Sequence, residues 1–159
     1  MTDTDSEILA MLDNDGVRAL AAARNRLNND VAAELTKVSD GYGERLRLDH
    51  PLAQTMSALT RTLVEAGFAL HDCAMREATG GVCLTPASRE DGVIVTWSTH
   101  DSLSMDGHRH GSNRDVHEVM NYALADILRS TGWQVDDFGQ AGANIVTCRA
   151  VEPDAASES

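Results

Sequence analysis

Apolar residues recur at helical spacing through the first part of the chain. Val17, Leu20, Leu27, Val31, Leu35 and Val38 form a narrow seam, broken by Arg24, on an otherwise polar helix of about six turns. A seam this thin must pack on the rest of the molecule or on a second copy of itself. A shorter helical signal precedes it, where Thr4 and Glu7 make a capping box in front of Ile8, Leu9, Met11 and Leu12. Asp13-Asn14-Asp15-Gly16 interrupts or re-caps the helix, and Asp40-Gly41-Tyr42-Gly43 ends it with turn chemistry.

Beyond residue 43 the periods are mixed. Leu46 and Leu48 alternate as a short edge strand. His50-Pro51 marks a helix entry, because proline's missing N–H is no loss in a first turn. Leu52, Met56, Leu59 and Leu63 share one face of that helix, and Gly67 is its C′ glycine. Phe68 to Met75 alternates as a strand, Thr79-Gly80-Gly81 turns the chain, and Val82 to Ala87 follows as a second strand. After the turn Arg89-Glu90-Asp91-Gly92, Val93-Ile94-Val95-Thr96-Trp97 is the strongest strand signal. A helix opening near Ser112 or Asn113 carries Val116, Met120, Leu124, Ile127 and Leu128 and is capped by Gly132. Trp133 to Phe138 and Ala143 to Arg149 close the chain as a hairpin around Gly139-Gln140-Ala141-Gly142. The predicted fold is α+β, in the order α-β-β-β-α-β-β, with two helices packed on an antiparallel sheet and a helical N-terminal extension. Residues 1–43 are the arm, 44–151 the domain, and 152–159 an acidic disordered tail.

A repeat runs through this pattern. Leu59, Leu63, Gly67, Phe68, Leu70 and Asp72 correspond to Leu124, Leu128, Gly132, Trp133, Val135 and Asp137 at a constant offset of 65, and Leu84-Thr85 aligns with Val146-Thr147 after a gap. Each unit is a helix, a glycine cap, a large aromatic opening a strand, a turn and a second strand. The aromatic is expected to plug the space between helix and sheet.

Composition narrows the partners. The 159 residues carry a net charge of −12, of which residues 1–15 hold −5 and residues 152–159 hold −3. The domain itself is only mildly acidic, and no basic stripe is present to displace counterions from a duplex, so no direct nucleic-acid binding is expected. No run approaches a membrane span and no signal segment opens the chain, which reads as soluble and cytoplasmic. Cys73, Cys83 and Cys148 are odd in number and lack metal-site spacing, so each is read as a small buried apolar residue on a strand. With six aromatics among 159 residues, Trp97 and Trp133 are read as core anchors rather than the wall of a cleft.

The order helix, three strands, helix, two strands resembles that of the type III secretion chaperone-like and YbjN-like α+β proteins. The Leu63-x-x-x-Gly67-Phe68 junction and the hairpins after it are similar to part of that pattern. The resemblance covers about 100 residues and implies a homodimer that holds a partner polypeptide rather than performing a reaction. The long N-terminal helix and a histidine-rich loop depart from it.

That loop, His100 to Gly111, is where chemistry could reside. His108-x-His110 with His100, Asp101 and Asp106 offers ligand types suited to zinc or another divalent metal, and a strand-to-helix loop is a common place for a site. A solvent-exposed polar loop has the same composition, and hydrogen-bonded or pH-responsive histidines form a third reading. His117 is read as lining the helix–sheet interface, and His71 as either a partner contact or a buried, bonded residue. Ser98-Thr99-His100-Asp101 does not make a triad, since neighbours on a strand point to opposite faces. Gly139-Gln140-Ala141-Gly142 is a hairpin turn, because no helix follows it to complete a phosphate cradle.

The reading adopted is a small non-catalytic binding or adaptor protein. It self-associates or docks a protein partner through Val17, Leu20, Leu27, Val31 and Leu35, and it needs no cofactor. The alternative is a metal-binding enzyme or sensor built on His100, Asp101, Asp106, His108 and His110 with zinc or another divalent ion. A third is an acidic inhibitor that imitates nucleic acid.

Overall fold

The computed structural model describes residues 14–42, 44–72, 80–87, 91–99, 112–137 and 143–149. Among these residues three helices, α1 (Asn14–Leu35), α2 (Ala53–Glu65) and α3 (Ser112–Ser130), accompany four strands. These are β1 (Gly81–Ala87), β2 (Gly92–Ser98), β3 (Trp133–Asp137) and β4 (Asn144–Arg149). The sheet has the order β1-β2-β4-β3, and every neighbouring pair is antiparallel. The molecule is α+β, with α2 and α3 against one face of the sheet. Met56, Leu59 and Leu63 of α2 and Leu124 and Leu128 of α3 share one buried cluster with Val82, Leu84, Val93, Val95 and Val146.

Helix entry and exit follow local chemistry. At the start of α2 the ring Nδ1 of His50 accepts the Leu52 N–H at 3.1 Å, and the His50 carbonyl accepts that of Ala53 at 3.0 Å. These are two of the donors that a helix start leaves open. At its end Gly67, with φ +91°, donates to Val64 O and Phe68 donates to Leu63 O. This bond pair closes a helix through a left-handed residue. Gly132 repeats the stop after α3 with φ +92° and a bond to Arg129 O.

Residues equivalent in the repeat share their environments. Leu59, Leu63, Leu124 and Leu128 are wholly inaccessible to solvent, and Leu70 and Val135 are buried. The aromatics differ. Trp133 is buried, and its indole N–H donates to Thr62 Oγ1 on α2, the helix of the other unit. Phe68 is half-buried and meets Trp97 edge-on at 6.4 Å between ring centres.

Two expected strands are corrected. Of the strand expected from Phe68 to Met75, residues 73–75 lie outside the described residues; among the described ones, residues 68–72 make one bridge, and it is parallel: Leu70 to Val82. His71 N–H donates to Val82 O and Val82 N–H to Ala69 O. Leu46 and Leu48 do not form an edge strand either. The segment makes one bridge, Ser39 to Arg45, and a bond from Leu46 N–H to Val38 O, leaving Leu48 99 % exposed. Alternation marks where a strand could form, but a strand also needs a neighbour to share its ladder.

Side chains occupy main-chain groups at both edges of the sheet, and they do so at the repeat-equivalent residues Leu70 and Val135. Glu34 Oε2 accepts the Leu70 N–H at 2.6 Å, while Lys37 Nζ bonds both Glu34 Oε1 at 2.8 Å and Leu70 O at 3.4 Å. At the far edge Arg129 Nη2 donates to Val135 O at 3.0 Å, beside the irregularity in the β3–β4 register. Main-chain groups satisfied this way offer no template for an added strand. Glu34→Ala is expected to cost about 1–3 kcal/mol. The loss is to be read by urea denaturation together with faster hydrogen exchange at the Leu70 amide. Unchanged exchange at Leu70 would show that the carboxylate is not what holds this edge.

Candidate functional site

The end of α1 is built into the molecule. Val31 is buried where α1 meets α2, Leu35 packs against the core cluster, and Val38 just beyond the helix belongs to that cluster although it lies on the arm side of residue 43. Arg61 of α2 bonds Asn28 Oδ1, and Arg61 also faces Glu65 at 3.8 Å. The start of α1 is different. From Asn14 to Asp30 no side chain is buried, and only Gly16, Leu20 and Leu27 are half-buried. Val17 is 38 % exposed. The seam therefore divides: Val31 and Leu35 face the chain's own core, while Val17, Leu20 and Leu27 continue the same stripe along about four turns of helix with no buried side chain.

Two other apolar surfaces accompany it. An open groove of about 330 Å³ lies between the end of α1, the start of α2 and residues 45–48, lined by Ala32, Leu35, Leu46, Leu48 and Ala53 with Arg45 and Arg47. Arg47 pairs with Asp49 at 3.1 Å, in the open and therefore weakly. On α3, Val116, Val119 and Tyr122 recur at helical spacing along one side, the last two 64 % exposed. Sequence reasoning read Val116 as an inward position and passed over Val119 and Tyr122. Their exposure could be anticipated only by knowing which side of α3 Leu124 and Leu128 commit to the sheet.

A polar cluster sits where β2 leaves the sheet. Pairing of β2 with β4 ends at Val95 and Asn144, so on that side the Trp97 N–H lacks a strand partner. Asn121, wholly buried on α3, supplies it: Oδ1 accepts the Trp97 N–H at 2.8 Å, and Nδ2 lies 3.1 Å from His117 Nε2. With the amide oriented by Trp97, the His117 contact requires an unprotonated Nε2 and hence the Nδ1–H tautomer. Asn144 Nδ2 completes the cluster by donating to the Asn121 carbonyl at 2.8 Å. His117 is thus half-buried and bonded at the helix–sheet interface, as its neighbours in sequence led one to expect.

The remaining candidates are placed as follows. His100, Asp101, Asp106, His108 and His110 lie outside the described residues. Among the described residues, no group of three His, Cys, Asp or Glu side chains is positioned to hold a metal ion. Cys83, read as buried, is half-buried on β1 and forms no disulfide, with Sγ 4.0 Å from Thr85 Oγ1. Cys73 lies outside the described residues, as do Thr4, Glu7 and the acidic tail from Glu152. His71 is half-buried at the end of the edge segment. Described carboxylates are spread over α1, the 40–49 loop, α2, α3 and β3, and several face arginines, as in Asp15–Arg18 and Asp126–Arg129. Among the described residues, no helix is long and apolar enough to cross a membrane.

No protein-family model matches this chain, and neither the curated proteins nor the solved structures provide a match.

Proposed function

We propose that this chain is a small cytoplasmic binding or adaptor protein, chaperone-like in the sense of the resemblance in element order, that works by self-association and by holding a partner polypeptide. The observation that carries the reading is the divided seam of α1. Val31 and Leu35 anchor one end of the helix, while Val17, Leu20 and Leu27 repeat at heptad spacing along an end with no buried side chain. A stripe continued beyond the part that packs in cis suits a second helix with the same stripe. Arg24, at the polar position within it, suits a device that sets register at some cost in affinity. Side chains already occupy main-chain groups of Leu70 and Val135 at the two edges, which favours helix faces over strand addition as the mode of contact. Val116, Val119 and Tyr122 on α3 are the surface that this reading gives to the partner polypeptide.

Sedimentation equilibrium of the full chain tests the proposal. The wild type is expected to be dimeric at micromolar concentration. Leu20→Asp, which sets a carboxylate in the seam, is expected to weaken the dimer by roughly a hundredfold, from about 3 kcal/mol of lost apolar contact and buried charge. Unfolding by urea should be little altered at low protein concentration, because no core residue is touched. A wild-type monomer at all concentrations, or a Leu20→Asp dimer as tight as wild type, would defeat the reading.

A further inference from the structure

The groove beside the end of α1 has features of a receptor. Ala32, Leu35, Leu46 and Ala53 give it an apolar lining, Leu48 forms an almost wholly exposed lip, and two guanidinium groups stand among them. Arg45 meets no carboxylate among the described residues, and the pair between Arg47 and Asp49 is solvent-exposed and replaceable. Its fitting occupant is a short apolar segment that carries acid and no base.

We propose that this groove receives the N-terminal segment, residues Thr4–Leu12, of a second copy of the chain. That segment sets Ile8, Leu9, Met11 and Leu12 directly after Asp5 and Glu7, and residues 1–15 hold five carboxylates with no Lys or Arg. Leucine and isoleucine side chains suit the groove floor, and the carboxylates suit Arg45 and Arg47.

Reach identifies the donor as a second copy. From Asn14 to Ala32, the nearest α1 residue lining the groove, the helix runs 18 residues, or about 27 Å. Ile8 lies six residues before Asn14 and can extend at most about 21 Å from it. Leu12, two residues away, can extend about 7 Å. The apolar residues therefore stop short of the α1 wall of the groove in their own chain. In an antiparallel pair of α1 helices, however, the start of each helix lies beside the end of the other. The same arrangement sets Val17 and Leu20 of each copy along the partner helix and makes the segment–groove contact twice, once per copy. This inference rests on the self-association proposed above and names where its second point of contact lies.

The experiment uses full-length chains carrying Leu48→Asp, which disables the groove, or Ile8→Asp with Leu12→Asp, which disables the segment. Leu48 is exposed, so its replacement leaves the fold intact, and circular dichroism verifies the same for the double variant. Each variant alone is expected to dimerise at least roughly tenfold more weakly than wild type. An equimolar mixture, followed by energy transfer between differently labelled chains, is expected to form heterodimers tighter than either variant homodimer. In the mixture one intact segment meets one intact groove. A wild-type dimer whose Kd is indifferent to Leu48→Asp overturns the contact while leaving self-association standing, and so does a mixture with no gain over its components. A wild type that never dimerises defeats the proposed function and this inference together.

Discussion

Gly81→Ala is expected to destabilise the protein by about 3 kcal/mol, seen as a fall in melting temperature of roughly 6–12 °C. Gly81 opens β1 with φ +119°, a conformation that side chains resist. It also lies directly under the edge segment. A Cβ there would stand 2.8 Å from Ala69 O and 3.0 Å from His71 N, both main-chain atoms. Those atoms belong to the residues whose bonds to Val82 tie the segment to the sheet, so relief of the clash requires breaking that bridge. Gly67→Ala is the control. Its φ of +91° is equally unfavourable to a side chain, but nothing lies within 4 Å of an added Cβ. It should lose only the conformational strain of about 1–2 kcal/mol. If the two variants melt together, close packing at Gly81 is not what that position demands.

The second large effect is expected at Asn121. Asn121→Ala leaves the N–H of the half-buried Trp97 facing the space formerly filled by the carbonyl of a wholly buried side chain. An orphaned buried donor costs about 1–3 kcal/mol, and the vacated volume adds to it. A total of about 3 kcal/mol is expected by urea denaturation. Faster exchange of the Trp97 amide should accompany it, because that bond substitutes for the end of β4. His117→Ala removes the partner on the other side of the same amide, at a half-buried position, and is expected to cost about 1 kcal/mol. Equal losses in the two variants would mean that the bond to Trp97 carries no special weight.

Leu70 and Val135 illustrate how far local pattern reaches. They occupy equivalent positions after equivalent glycine stops, and both are buried. One lies in a five-residue antiparallel strand, the other in a single parallel bridge. Period and cap chemistry are properties of neighbouring residues and are the same in the two places. Which strand lies alongside is a property of distant ones. The closures by Glu34, Lys37 and Arg129 are equally long-range, since nothing near Glu34 in sequence announces a bond to the amide of Leu70, 36 residues away. Val119 and Tyr122 on α3 belong to the same class. Helical spacing finds a stripe, and only packing says which stripe faces the sheet.

The seam of α1 was legible as a stripe from Val17 to Val38, but its division was not. Periodicity treats Val17 and Val31 alike, because each repeats the same apolar face of one helix. The structure separates them by burial: Val31 is buried where the end of the helix joins the fold, and from Asn14 to Asp30 no residue is buried.

From its sequence alone the chain determines its helices, their glycine stops, the four strands β1 to β4 and the apolar residues of the core. Each of these depends on side-chain periods and backbone preferences acting over a few neighbours. Only the tertiary structure decided the strand order, the parallel approach of Leu70 to Val82, the side-chain bonds to Leu70 and Val135 at the two edges, and which apolar residues remain outside. These depend on the residues that meet across the fold, where one stripe on a helix or strand can be buried and an equally apolar one left on the surface.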